Sequence, residues 1–255
     1  MDRRQISYIA HTDHPVAAPL GDDSVRDLLD RALPEAGALP EAGARLLDLG
    51  CGSGTWLLRA LGARPDLRAD GVDSDARAIA AAGRAADEAG LGDRIAFHAQ
   101  DAAEFGSPHR YGLILSIGAA HAFGGLLPTL KAADSHLAPG GSVLVGECFW
   151  EREPDRKTLD AGFAADDYDS LATTVDRVTA AGWAPLHAHV STLREWDDYE
   201  WSWTGSLTRW ALDHPEHPDR GQALEAAAGH RAAWLHGYRG TLGFVTLLLR
   251  RANRP

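Results

Sequence analysis

Apolar positions change their spacing near residue 45. Before it, Val25, Leu28, Leu29, Ala32 and Leu33 stand at i, i+3, i+4, i+7 and i+8. That is the stripe of an amphipathic helix, which Ser24 would cap and Pro34 and Gly37 would close. From Arg45 onward, short apolar runs alternate with helical stretches. ARLLDLG, DLRADGVD, RIAFHAQD and YGLILSIG read as four strands. Between them lie a helix over 55–61 and an Ala-rich helix over 75–89, with Gly90 in the C′ position. A further helix covers about 126–137, and PGG then turns the chain into a fifth strand, SVLVGECF. Residues 168–181 read as helix and APLHAHVST as a sixth strand. Residues 194–240 read as helical and carry most of the aromatics, and TLGFVTLLLR is the last strand. Such alternation predicts a parallel sheet covered by helices on both faces.

The chain of 255 residues is too short for two ordinary domains and a linker. The expected organisation is an N-terminal lid segment, 1–39, followed by a sheet domain, 40–255. Insertions at about 150–165 and 194–240 would build a helical cap on it. Apolar residues make up 45% and charged residues 24%, ordinary values for a globular protein. No apolar stretch approaches the ~20 residues of a membrane helix, and the N-terminus lacks a signal-peptide core. A cytoplasmic protein with no membrane partner is expected. The net charge of −11 argues against a nucleic-acid partner. The two cysteines, Cys51 and Cys148, are read as free thiols. Without CxxC or HExxH, no metal site is expected.

The sharpest feature is the run Leu46-Leu47-Asp48-Leu49-Gly50-Cys51-Gly52-Ser53-Gly54-Thr55: strand, Gly-rich turn, helix start. Glycines let backbone approach a ligand where a Cβ would clash, and a helix start offers N–H groups. Asp73 ends the next strand, where an acid can accept from a ribose diol. Asp101 ends the third, and LAPGG precedes the fifth. A dinucleotide site would want glycine at position 55, which is Thr55. Asp48, two residues before Gly50, suits a cationic ligand group better than a pyrophosphate.

DLGCGSG, GVDSD, QDA and LAPGG together resemble the class I S-adenosylmethionine-dependent methyltransferases. The resemblance covers about residues 40–150 and, loosely, the final strand. IGAAHAFGG and GECFWEREP also resemble stretches of uncharacterised bacterial members. It implies an α/β, Rossmann-like, seven-stranded and mostly parallel sheet. The last strand would be antiparallel and inserted beside the fifth. The implied cofactor is S-adenosyl-L-methionine. Asp48 would order the glycine loop and the methionine ammonium. Gly50, Cys51 and Gly52 would line the methionine and ribose by backbone. Asp73 would hold the ribose hydroxyls, with Ser74 beside the adenine. Asp101 would accept from the adenine amino group, with Ala102 offering its N–H. Ser116 and Ile117 would face the methionine. For Asp73 and Asp101, capping of the helices that follow stands as the other reading. No NPPY-like motif follows the fourth strand, where the chain reads Ser116-Ile117-Gly118-Ala119-Ala120-His121. That disfavours adenine, cytosine and protein glutamine as acceptors.

A hydroxyl or ammonium acceptor must lose a proton, and a nearby base can take it. The candidates are His121, Glu147 and His14, against a backbone-bonded loop histidine, an ion pair with Arg152 and a solvated loop residue respectively. His11 in the N-terminal segment is a further candidate substrate contact. Trp196, Tyr199 and Trp203 have helical spacing. They would either pack on the sheet or a partner or wall the acceptor, with Trp150 and Tyr8 beside them. Aromatics attract cations, which suits an amine. The leading expectation is O- or N-methylation of a small-molecule acceptor. A methyltransferase for tRNA or protein, and a non-catalytic binding protein keeping the fold, remain the alternatives; a dehydrogenase is disfavoured by Thr55 and Asp48. The inserted tryptophans would bury a homodimer interface or cover the acceptor.

Overall fold

The computed structural model describes residues 1–33 and 45–252. The Pro34–Gly37 helix stop and the 39/40 boundary lie outside the described residues. Two compact units emerge. One gathers Met1–Leu20, Cys148–Thr174 and Val190–Phe244; the other holds Gly21–Glu147, Val175–His189 and Val245–Pro255. No helix among the described residues is long and apolar enough to cross a membrane.

The second unit is built on the sheet. The sheet's strands are β1 (Arg45–Leu49), β2 (Arg68–Asp73), β3 (Ile95–Ala99), β4 (Tyr111–Ile117), β5 (Leu137–Trp150), β6 (Trp183–Val190) and β7 (Leu242–Arg251), of which residues 148–150, 190 and 242–244 fall in the first unit. They lie in the order β3-β2-β1-β4-β5-β7-β6, and helices α5 (Leu126–His136), α6 (Arg156–Asp160) and α7 (Leu171–Ala180) fall in sequence between β4 and β6. β1 pairs in parallel with both β2 and β4. The order therefore reverses between β1 and β4, and in open α/β sheets ligands bind outside the carboxyl ends of the strands at such a switch. β7 runs antiparallel between β5 and β6, as the resemblance implied. Leu46, Leu47, Leu49 and Val72 are buried, the near-continuous apolar character of strands covered on both faces.

Helix α2 (Asp22–Ala32) buries the predicted stripe Val25, Leu28, Leu29 and Ala32. It starts earlier than Ser24. Gly21 is its N-cap, and Asp22 and Asp23 occupy the first turn, where carboxylates complement the helix dipole. Helix α4 (Ala76–Glu88) is capped by Asp75, whose side chain accepts from Arg77 N–H. It ends in a Schellman motif: Gly90 N–H donates to Asp87 and Leu91 N–H to Ala86, with Gly90 at φ +68°. The PGG stretch is not a turn before β5 but a bulge within it. Leu137 already pairs with Tyr111, the next pair is Ser142 with Leu113, and Gly140 takes φ +74°.

The first unit is helical and aromatic. Helix α1 (Arg3–Ala10) is capped by Asp2. Helix α8 (Leu193–Asp213) opens with a capping box: Thr192 Oγ1 accepts from Glu195 N–H, and the Glu195 carboxylate accepts from Thr192 N–H. Helix α9 (Arg220–Ala233) runs into a π-helical turn, Trp234–Tyr238. Ala10, Leu207, Ala211, Ala223 and Ala227 form the contact core of α1, α8 and α9. Small side chains there let the helices approach closely.

Candidate functional site

The glycine loop leaves β1 at Leu49. The N–H groups of Gly50 and Cys51 both donate to the Val72 carbonyl at 2.9 Å, which ties the loop to β2. Gly50, Gly52 and Gly54 all have positive φ, +91°, +52° and +74°. At Gly50 a Cβ would stand 2.4 Å from Ala119 Cβ, and at Gly54 one would stand 2.8 Å from the Phe97 ring. These two glycines serve packing. At Gly52 nothing lies within 4 Å of that position, so open space faces this part of the loop. Helix α3 (Thr55–Ala63) begins at Gly54 with no side-chain cap.

Two acids frame the loop. Asp73 Oδ2 accepts from Gly52 N–H at 2.9 Å and Oδ1 from Asp75 N–H at 2.8 Å. Each oxygen keeps lone-pair capacity, so the carboxylate is oriented yet able to accept further. The helix cap that was the other reading of Asp73 belongs to Asp75. Asp48 is 2% exposed. Burial, and secondly the charge of Asp73, push its carboxyl up to about 7. Burial likewise pushes the Cys51 thiol well above its ordinary range, with Asp48 and Asp73 adding to it. Cys51 is thus a neutral, buried thiol, and its backbone is what the loop offers.

Asp101 is exposed and caps the 3₁₀ turn Ala102–Glu104 through Ala103 N–H at 2.9 Å. Ala102 is buried and Ser74 is exposed. Ser116 is wholly buried, and its hydroxyl donates to the Leu49 carbonyl at 3.1 Å, fastening β4 to the end of β1. Ile117 beside it is also buried. His121 is exposed in the 3₁₀ turn Ala120–Phe123, beyond the end of β4. Glu147 is half-buried on β5.

The remaining expected residues fall in the aromatic unit. His11 Nε2 and Tyr199 OH lie 3.1 Å apart. His14 meets the Tyr199 ring edge-on at 5.4 Å between centroids, and Trp196 does so at 6.3 Å. Trp203 stacks on His230, with 3.8 Å between ring centroids. Trp150 is buried among Phe163 and Tyr168, with its indole N–H on the Ala165 carbonyl. Tyr8 is 47% exposed.

Sequence reasoning missed Glu200, His230 and Tyr238. Glu200 is 1% exposed and accepts from Tyr238 OH at 2.7 Å; His230 Nε2 lies 2.6 Å from its other oxygen. The signal was there. Trp196, Glu200, Thr204, Leu207 and Ala211 form one buried stripe of α8, and a carboxylate inside such a stripe needs partners.

Comparison with known proteins agrees with this geometry. Residues 47–143 match the family described as "Methyltransferase domain". The uncharacterized protein YjhP of Escherichia coli (strain K12) is 26% identical over 224 residues, 85% of this chain and 86% of that protein. The trans-aconitate 2-methyltransferase of Streptomyces avermitilis is 36% identical over 137 residues, 53% of this chain and 47% of that enzyme. A crystal structure of a SAM-dependent methyltransferase from Thiobacillus denitrificans, in complex with S-adenosyl-L-homocysteine, shares 25% identity at a TM-score of 0.87. It covers 98% of this chain and 100% of its own. The resemblance drawn from DLGCGSG, GVDSD, QDA and LAPGG is borne out to this extent: residues 47–143 match a methyltransferase-domain family, and the fold of the whole chain is similar to that of S-adenosylmethionine-dependent methyltransferases solved with S-adenosyl-L-homocysteine.

Proposed function

We propose that this protein transfers a methyl group from S-adenosyl-L-methionine to an oxygen or nitrogen of a small-molecule acceptor. The observation that carries the reading is the pair of acids at the glycine loop. Asp48 is a buried carboxylate with no hydrogen bond from a described residue, which calls for a cationic group. Asp73 is oriented by two N–H groups at the end of β2 and still has capacity to accept hydroxyls. A bound S-adenosylmethionine supplies an ammonium, a ribose diol and a methyl group already activated on sulfonium. The residues present fit it. Asp48 would balance the ammonium, and Gly50, Cys51 and Gly52 would give it backbone clearance. Asp73 would hold the diol with Ser74 nearby, Asp101 and Ala102 would meet the adenine edge, and Ser116 and Ile117 would back the methionine portion.

For the acceptor the chain has two tasks, alignment and removal of a proton. His121, Glu147 and His14 are the candidate bases. Acceptor recognition is assigned to Tyr8, His11, Trp150, Trp196, Tyr199 and Trp203. The reading of 150–165 and 194–240 as cap insertions draws support from their gathering with residues 1–20 into one aromatic unit, whereas residues 21–33 of the expected 1–39 lid belong to the sheet unit. A small acceptor draws support from the relative named for trans-aconitate. The net charge of −11 speaks against a polyanionic acceptor. The test is transfer of labelled methyl from S-adenosylmethionine into three separate fractions: small metabolites, tRNA and protein. Label in the small-metabolite fraction is expected. Label confined to tRNA or protein, or none at all, would overturn the reading.

A further inference from the structure

Within the sheet unit, the crossover from β3 to β4 is built without a helix. β3 is an edge strand, and β4 lies beyond β2 and β1, three strand spacings away, about 14 Å. Parallel strands usually return through a helix that packs on the sheet. Here residues 100–110 make the passage with a 3₁₀ turn, Ala102–Glu104, in its place. Something other than helix packing must hold this segment. Asp101 and Ala102, the residues read as the adenine edge of the site, stand at its start.

A buried carboxylate that the cofactor reading does not use is joined to it by hydrogen bonds. Asp70, on β2, is 8% exposed. His98 Nε2 stands 2.9 Å from its Oδ1, and the Arg45 guanidinium 3.9 Å from its Oδ2. The Tyr111 hydroxyl donates to Oδ2 at 3.0 Å. A phenol has one proton to give, so at 2.9 Å it is the Ser107 hydroxyl that donates to Tyr111. Ser107 Oγ in turn accepts from His109 N–H at 3.1 Å. Burial pushes the Tyr111 phenol up to about 12 against that Ser107 contact, with Asp70 adding to it, so the phenol stays a donor. A carboxylate only accepts, so His98 Nε2 carries the proton of its contact. Every link is directed towards Asp70, and the chain of bonds ends on the crossover at Ser107 and His109. At the other end of the crossover, Gln100 N–H donates to the Asp73 carbonyl at 3.0 Å. Between them the buried Phe105 ring meets both His98 and His136, at 5.1 and 5.6 Å between centroids.

We propose that Asp70, through His98 and Tyr111, positions the β3–β4 crossover and so sets the preference of the site for adenine without touching the base. The inference rests on the reading of Asp101 and Ala102 as the adenine edge. Asp101 Oδ1 is held by Ala103 N–H, which leaves Oδ2 able to accept from an amino group. A displacement of the turn by about 1 Å stretches such a hydrogen bond beyond its useful range. A hypoxanthine base carries a carbonyl where adenine carries its amino group. It would set two acceptors face to face and gain nothing from a well-placed Asp101. Asp70→Asn keeps the side chain's shape but turns an amide N–H₂ towards a group that donates, so it breaks one arm of the network.

The test measures, by calorimetry on the full chain, the binding of S-adenosylhomocysteine and of its hypoxanthine analogue, S-inosylhomocysteine. Melting curves verify the folding of Asp70→Asn, His98→Gln, Tyr111→Phe and Asp101→Ala. Wild type should prefer the adenosyl ligand by about 100-fold, and Asp101→Ala should reduce that preference to about threefold or less. Asp70→Asn and His98→Gln should each reduce it by at least about tenfold through adenosyl affinity, with inosyl affinity within about threefold of wild type. Tyr111→Phe, which removes one donor, should reduce it by at least about fivefold. A general loss of stability would move both ligands together and leave the preference as it was. Hydrogen exchange over residues 100–110 should quicken by about tenfold in Asp70→Asn, while the glycine loop, 50–54, exchanges as in wild type. A preference kept within about threefold in Asp70→Asn, His98→Gln and Tyr111→Phe, with Asp101→Ala losing it, would overturn the positioning role alone. A preference that survives Asp101→Ala, or a wild type that binds both ligands alike, would remove the adenine-edge reading and the proposal with it.

Discussion

Asp48 carries a carboxyl group to a place where water hardly follows, 2% exposed at the end of β1. Its carboxyl is raised from 3.8 to about 7, by burial first and by Asp73 second. The unfolded chain releases this proton near 3.8 and the folded chain near 7, so between those values the folded state binds more protons. Stability of the cofactor-free protein therefore falls as pH rises across that window. Asp48→Asn mimics the protonated acid. Scanning calorimetry should find the variant more stable than wild type at about pH 8, by ~2 kcal/mol, and equal to it near pH 4. A variant no more stable at the higher pH would contradict the account of a buried, unneutralised charge. The same variant should bind S-adenosylmethionine at least about tenfold more weakly, since a charged partner for the ammonium is gone. The motif made this acid legible in the sequence. The Glu200 anchor was not read, because its partners, Tyr238 and His230, stand 38 and 30 residues away.

Secondary-structure elements were the most legible level, because period and end signals agree. The β1 run and the Gly90 stop stand where apolar spacing and capping chemistry put them, while Asp75, read as the first residue of its helix, is that helix's cap. The departures have local causes. Two aspartates and Gly21 start α2 ahead of Ser24, and pairing of Leu137 with Tyr111 absorbs the PGG stretch into β5. Glycines separate structure from function at this scale. Gly90 sits at φ +68° with open space around it, so Gly90→Ala should cost about 1 kcal/mol and leave cofactor affinity unchanged. Gly50 combines φ +91° with a 2.4 Å approach to Ala119, so Gly50→Ala should cost about 3 kcal/mol or more and abolish cofactor binding. Denaturant melts and titration calorimetry of the two variants check both. Equal losses of cofactor binding would contradict the distinction.

At the scale of the whole molecule, the strand order and the glycine loop say the same thing. The order reverses between β1 and β4, and the loop, Asp73 and Ile117 stand at carboxyl ends of β1, β2 and β4. The strand-end positions of the loop, Asp73 and Ile117 followed from motifs read in chain order; the reversal of strand order came from the sheet itself. The meeting of His11 with Tyr199, 188 residues apart, did not follow from motifs either, since no local spacing encodes it. The central claim is the cofactor, and titration calorimetry tests it most directly. S-adenosylmethionine and S-adenosylhomocysteine should bind with micromolar or tighter affinity, NAD should not bind, and Asp73→Ala should weaken both adenosyl ligands by about tenfold or more. Binding of NAD in their place, or adenosyl affinities untouched by Asp73→Ala, would contradict the account.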